Sequence, residues 1–282
     1  MTRIDRRALF ATGSAAALLA AVGVSAEARP ARGGHLRAAL SGGDRAESWL
    51  HRPGGRFLQA VRNAVFESLT EVAPDGTLQP ALARDWQSQD DGRAWNFRIR
   101  DDVAFHDGTR LRVSDVIASL RAFGMTAEDA DGVTVILPEP DPAFPFRLAR
   151  DGFAVFKADE VAAGAPVSGT GLYRIRRFDM GRGFLGERVE THRKDGSAGW
   201  FDTVELVAVS AERVRAEAVR DGIVDVADIR AAHDLAGRGD ISLIPGVADV
   251  GAALRQNIQH NARTGQSPLD DMRFVERWWA RA

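Results

Sequence analysis

The sequence contains no cysteine in its 282 residues, and this absence excludes several kinds of chemistry. Disulfide bonds, thiolate metal ligands, thiol catalysis and a lipid anchor attached through cysteine all require that residue. A strong charge of one sign is also lacking, because the net charge is −2 and the pI is near 6.3. Nucleic-acid binding needs a clear basic excess, so the composition argues against a nucleic-acid partner.

Catalytic and metal-binding motifs are equally scarce. The six histidines show neither H-x-H nor H-E-x-x-H spacing, no G-x-S-x-G occurs, and no Ser/His/Asp set stands out. Gly181, Gly183 and Gly186 satisfy G-x-G-x-x-G, but they lie between two predicted strands rather than between a strand and a helix. We therefore interpret them as a hairpin turn, and we predict no metal, no cofactor and no enzymatic activity.

Residues 1–28 have the pattern of an export signal. Arg3, Arg6 and Arg7 precede an uncharged run rich in Ala, Leu and Gly, and small residues at Ala26 and Ala28 supply a cleavage signal. The Arg-Arg pair resembles a twin-arginine motif. We predict cleavage near Ala26 or Ala28 and a periplasmic location, and the alternative is a single uncleaved membrane anchor.

The stretch from Val65 to Leu120 alternates short elements with strong turn signals. Asp-Gly pairs at 75–76, 91–92 and 107–108 mark tight turns, and the segment WNFRI alternates apolar and polar residues like a half-buried strand. Ser114 is the predicted N-cap of the helix that follows. The predicted core of this region consists of Trp86, Trp95, Phe97, Phe105, Val116, Leu120, Val133 and Val135.

The remaining elements follow from apolar periodicity and turn residues. The predicted strands are His35–Ser41, Val133–Leu137, Phe153–Phe156, Gly169–Phe178, Phe184–His192, Val204–Val209, Ile241–Ile244 and Val250–Leu254. The predicted helices are Phe57–Glu67, Lys157–Ala163, Ala211–Arg220 (with Val214, Ala218 and Val219 facing inward) and Met272–Trp279. Mixed strands and helices in a partly alternating order predict a mixed α/β and α+β fold.

In their order, these segments resemble the signature of the family 5 periplasmic solute-binding proteins of ABC importers. The segments ESL, PALARDW, WNFRIR, FHDG and DVIASL correspond to successive elements of that signature. GTGLYRI from Gly169, GWFDTVEL from Gly199 and DGIVDV from Asp221 continue it, so the resemblance extends from about Gly33 to Asp271.

The resemblance implies lobe I plus the accessory domain of a periplasmic-binding-protein type II fold. Residues 29–48 and 166–258 would form lobe I, residues 49–165 the accessory domain, and residues 259–282 the start of the crossing to lobe II. Family members are close to twice as long, so the second lobe is expected to be largely absent. An open edge or uncovered apolar face would then leave the chain marginally stable or covered by a second chain.

The resemblance also implies solute binding without catalysis. Peptides or similar small solutes would be the cargo, and the importer's membrane subunits would be the partners. The loop after the first strand, Ser41, Gly42, Gly43 and Asp44, would offer backbone hydrogen bonds, and Trp49 an aromatic wall; a simple turn is the alternative. For the whole chain, the alternatives are a non-functional remnant and an exported protein-interaction module. The pair Trp278-Trp279 would cover exposed core or face a partner.

Overall fold

The computed structural model describes residues 32–51, 55–73, 76–150, 152–245 and 250–255, and its strands form three sheets. The strands are β1 (His35–Leu40), β2 (Thr70–Val72), β3 (Leu78–Pro80), β4 (Ala83–Gln89), β5 (Ala94–Ile99), β6 (Thr126–Asp129), β7 (Val133–Ile136), β8 (Tyr173–Asp179), β9 (Gly183–Arg188), β10 (Thr203–Ala208), β11 (Val226–Ala227), β12 (Ile241–Pro245) and β13 (Val250–Arg255). The helices are α1 (Arg56–Val65), α2 (Val113–Ala122), α3 (Phe144–Arg150), α4 (Ala158–Ala163) and α5 (Glu212–Arg220).

A seven-stranded sheet forms what we call the large unit, in the order β12-β13-β11-β1-β10-β9-β8. Its central strand β1 pairs in parallel with both β10 and β11, and every other pairing is antiparallel. Since β1, β10 and β11 run in the same direction, their carboxyl ends lie at one edge of the sheet. This edge positions the loop that follows β1.

Helix α1 covers one face of the large sheet because its apolar residues recur at helical spacing. Phe57, Leu58, Val61 and Val65 have no exposed surface and pack with strand residues such as Leu40. Burying a side chain of this size contributes about 1.5–3 kcal/mol. The predicted boundary at residue 49 assigned this helix to the accessory domain, whereas the structure packs it into the core of the large unit.

Helix α5 covers part of the opposite face, with an unexpected buried residue. The sequence predicted Val214 to face inward, but that prediction was wrong: Val214 is 48% exposed and Arg215 is 3% exposed. The Arg215 guanidinium donates hydrogen bonds to the carbonyls of Val209, Ser210 and Asp228, at 2.6, 2.9 and 2.8 Å. A charged group is stable there because the strand ends supply unpaired carbonyls.

The rest of that face, over β8 to β10, is charged rather than apolar. Glu187 accepts hydrogen bonds from Arg174 and Arg176, each at 2.9 Å, and Glu205 lies 3.4 Å from His35. The edge strand β8 also carries a register shift after Ile175. Charges and irregularities of this kind discourage edge-to-edge pairing. The expected uncovered apolar face is therefore not found among the described residues, and a second covering chain is not supported.

The small unit consists of the antiparallel sheet β4-β5-β7-β6 with α2 and α3, accompanied by the hairpin β2–β3. Its predicted core is confirmed, because all eight predicted residues pack in one cluster, seven of them buried and Trp86 partly buried. The turn at Asp91-Gly92 is also confirmed, with φ of 54° and 93°. At Asp107, the side-chain carboxylate accepts from the Thr109 amide at 2.9 Å and closes the turn.

Two local predictions in the small unit were wrong. Helix α2 begins at Val113, and Asp115 rather than Ser114 caps it, since its carboxylate accepts from the Arg112 amide at 2.9 Å. The predicted strand 153–156 is an irregular buried segment. Its amides donate to the carbonyl of Glu67 and to the hydroxyl of Ser119 instead of to a neighbouring strand.

Several predictions lie outside the described residues. They are the export signal at 1–28, the final helix Met272–Trp279 with its Trp278-Trp279 pair, and the crossing segment 259–282. Within the described ranges, no helix has the length and hydropathy needed to cross a membrane.

Candidate functional site

The carboxyl edge of the large sheet brings the end of β1 next to the end of β11. Ligands of open α/β sheets bind in the crevice outside the carboxyl ends of the strands. Here Ser41 follows β1 and Asp228 follows β11. The Asp228 carboxylate accepts the Ser41 amide at 2.7 Å and also the Ser41 hydroxyl. These bonds fix the first residue of the predicted ligand loop.

Two arginines share the Asp228 carboxylate. Arg215 Nε lies 3.0 Å from one oxygen, and Arg56 Nε lies 3.7 Å from the other. The side chain of Asp228 is 6% exposed and that of Arg215 is 4% exposed, whereas that of Arg56 is 37% exposed. One carboxylate cannot neutralise two guanidinium groups, so these three side chains together carry one positive charge. Arg56 carries that charge toward solvent.

The glycines of the loop are required by close packing. Gly42 and Gly43 have φ of 91° and 99°, and a Cβ at Gly42 would lie 2.7 Å from the Gly55 Cα. A Cβ at Gly43 would lie 2.5 Å from the Ala208 Cβ. Only glycine fits such positions. The loop is therefore a rigid turn packed against β10 and the start of α1.

The other two predicted residues are placed differently. Asp44 is exposed, and its carboxylate accepts the Ala46 amide at 2.8 Å. Trp49 is 8% exposed, and its ring packs in the core at 5.3 Å from Phe66 and 4.8 Å from Phe178. Little of the Trp49 ring is open to a ligand, and its role as an aromatic wall stays a prediction. Ligand contact by Ser41 to Asp44 stays a prediction.

A cavity that the sequence did not predict lies between the two units. Its volume is about 330 Å³, within the range of small-molecule sites, and it lies along α1, the chain from Phe66 to Val72, and α3. Phe146 and Phe153 supply aromatic walls, and Arg150 and Lys194 supply charges. We call this space the junction cavity. No local signal could reveal it, because its walls come from segments far apart in the chain.

A buried ion-pair network borders the junction cavity. Glu67, whose side chain is 8% exposed, receives Arg193 at 2.5 and 2.6 Å and Lys194 at 3.1 Å. Lys194 also lies 2.5 Å from Glu71. Burial acts to raise the pKa of Glu67, but Lys194, His192 and Arg193 together hold that pKa well below its usual value. The network joins the loop after β9 to the end of α1.

The potential metal ligands and the glycine-rich run were both assigned from the sequence, and the structure places them as follows. No group of three or more potential ligands comes together among the described residues. The G-x-G-x-x-G run forms the turn of a hairpin and the beginning of its second strand, β9, with Gly181 between β8 and β9 at a φ of 71°. Since no helix follows, that hairpin interpretation is confirmed.

Comparison with known proteins identifies the family. The profile of the bacterial extracellular solute-binding proteins, family 5 Middle, matches residues 77–274, which is more than half of the chain. The chain belongs to this family. A nickel-binding periplasmic protein of Escherichia coli (strain K12) is 34% identical over 73 residues, which cover 26% of this chain and 13% of the relative.

Solved structures of family 5 type confirm the fold. AgaA of A. tumefaciens R10, solved with agropinic acid, has a TM-score of 0.66 and 25% identity. AppA of Bacillus subtilis, solved with a nonapeptide, has a TM-score of 0.62 and 18% identity. The alignments cover 75% and 76% of this chain and 48% of each relative. The mixed α/β fold of periplasmic-binding-protein type II is thus confirmed, and the chain spans about half the length of these relatives.

Proposed function

We propose that this chain is the solute-binding component of an ABC-type importer, located in the periplasm. It would bind a peptide or similar small solute without catalysis and deliver it to the importer's membrane subunits. The main support for this proposal is the carboxyl edge of the large sheet, where the Ser-Gly-Gly loop and Arg56 lie next to Asp228. The chain's membership of family 5 agrees with a ligand site at this edge. The predicted lobe I and accessory domain would correspond to the large and small units.

The charge of this edge favours a solute with a carboxylate. Among the described residues, Asp228 is the carboxylate that Arg56 and Arg215 share, and the guanidinium group of Arg56 is the more accessible of the two. Guanidinium groups bind carboxylates through paired, charge-assisted hydrogen bonds. Agropinic acid and the nonapeptide, the compounds bound by AgaA and AppA, both carry carboxyl groups. In our proposal Arg56 binds the solute carboxylate beside the loop.

Isothermal titration calorimetry on the full chain tests the proposal. The probes are agropinic acid, trialanine and trialanine amide, which differs from trialanine only by the absence of the carboxylate. We expect saturable binding of at least one carboxylate probe and, for the peptide pair, about tenfold weaker binding of the amide.

Two variants of equal charge change make the test specific. Arg56→Gln removes the proposed carboxylate contact and is expected to weaken binding about tenfold. Arg213→Gln changes an arginine with an 81% exposed side chain on α5 and leaves binding unchanged. Absence of saturable binding by every probe contradicts solute binding and favours the non-functional remnant. Equal losses in both variants contradict the role of Arg56.

A further inference from the structure

The junction cavity is separate from the carboxyl edge of the sheet. Neither Arg56 nor the loop from Ser41 to Asp44 lines the cavity, whose walls include Gln59 and Asn63 of α1 and the chain from Phe66 to Val72. The cavity also lies where the large and small units meet, since α1 packs on one sheet and α3 on the other unit.

The acidic groups of the cavity are already paired within the protein. Arg193 and Lys194 contact Glu67, and Lys194 also contacts Glu71. These four side chains sum to zero charge, and the pKa of Glu67, held well below its usual value, keeps that carboxylate ionised. A cationic ligand would therefore find no carboxylate without a partner of opposite charge among them.

Arg150 adds a positive charge to the cavity, because the four side chains of the network already sum to zero. Its guanidinium lies 5.3 Å from the ring centroid of Phe146, and no carboxylate of the described residues lies within 4 Å of it. Arg150 is exposed at the cavity rim, whereas Phe153 is 6% exposed within the wall. An arginine held over an aromatic ring keeps its hydrogen-bond donors available to a planar anion.

We infer that the junction cavity is a second ligand site, which binds a small aromatic or apolar monocarboxylate. The carboxylate pairs with Arg150, and the apolar body lies between Phe146 and Phe153. A volume of about 330 Å³ matches a compact molecule of this kind. Because the walls come from both units, an occupied site holds the units together. This inference does not rest on the proposed function.

The test uses 3-phenylpropanoate and its neutral isostere 3-phenylpropanamide, titrated into the full chain by calorimetry. We expect saturable binding of one equivalent, with the carboxylate about tenfold tighter than the amide. Arg150→Gln is expected to remove this preference, while the exposed-arginine control Arg213→Gln keeps it. Ala149→Phe, which fills the cavity, is expected to abolish binding of both probes.

Each other outcome overturns the inference. No saturable binding up to about 10 mM means that the cavity is not a site for this class. Equal affinities for the carboxylate and the amide show that Arg150 does not bind the carboxylate group of the probe. Retained binding in Ala149→Phe, with a melting temperature close to that of the parent, places the probe elsewhere on the protein.

Discussion

Replacing Glu67 by Gln tests the ion-pair network at the junction of the two units. The substitution keeps the shape of the side chain but removes the charge that Arg193 and Lys194 contact. The side chains of Arg193 and Lys194 are only 18% and 13% exposed, so water can replace little of the lost contact with the carboxylate. Removing one partner of a buried pair costs about 3–5 kcal/mol. We expect a loss of this size in the free energy of unfolding at pH 7.

The pH dependence makes the prediction sharper. Burial acts to raise the pKa of Glu67, but its cationic partners hold that pKa well below the usual value. A depressed carboxyl pKa stabilises the fold above the unfolded-state pKa of about 4.3, and this contribution is lost as the pH falls through the folded-state pKa. The difference between the parent and Glu67→Gln should therefore be largest near pH 7 and shrink below about pH 4.

Urea unfolding followed by tryptophan fluorescence measures these free energies across the pH range. The matched control is Glu187→Gln, since Glu187 also contacts two arginines but lies on the open face of the large sheet. Exposed pairs contribute little, so the control should lose much less stability. Equal losses in the two variants, or a Glu67→Gln effect independent of pH, would refute the reasoning.

Three further predictions concern the same region. His106→Gln should reduce the fall in melting temperature that the parent shows between about pH 7 and pH 5. Burial lowers the pKa of His106, so the neutral histidine stabilises the fold above its unfolded-state pKa of about 6.5, and this contribution is lost as the pH falls. Gly169→Ala should destabilise by at least about 1–3 kcal/mol in urea unfolding, because its Cβ would lie 1.8 Å from the Val65 carbonyl; Gly183→Ala, with 3.7 Å of clearance, is the control. Arg62→Met should lower the unfolding free energy by about 2–4 kcal/mol, because four backbone carbonyls lose their donor.

Each of these has a contradicting result. A parent-like pH profile in His106→Gln means that another group controls stability in that range. Equal stability of Gly169→Ala and Gly183→Ala means that the turn relaxes away from α1. A loss below about 1 kcal/mol for Arg62→Met means that water satisfies the freed carbonyls.

Local pattern was enough for the features that depend on a few neighbouring residues. The alternation of Trp95 and Phe97 predicted β5, the Asp91-Gly92 pair predicted its preceding turn, and the apolar spacing after Arg56 predicted α1. Such features are decided by backbone conformation and by the period of burial, which sequence spacing reports directly. The family signature is local in the same sense, and its expectation of the fold was confirmed.

The sequence by itself thus predicted many of the elements, the turns at Asp91-Gly92 and Asp107, the core of the small unit and the family. Only the tertiary structure decided what each element packs against. It buried Arg215 in place of Val214 because strand ends 5 to 13 residues away offered carbonyls. It joined Glu67 to Arg193 across 126 residues, beside the junction cavity. Partners so distant in the chain produce no periodic pattern in the sequence, because their pairing is decided by charge and packing as the chain folds.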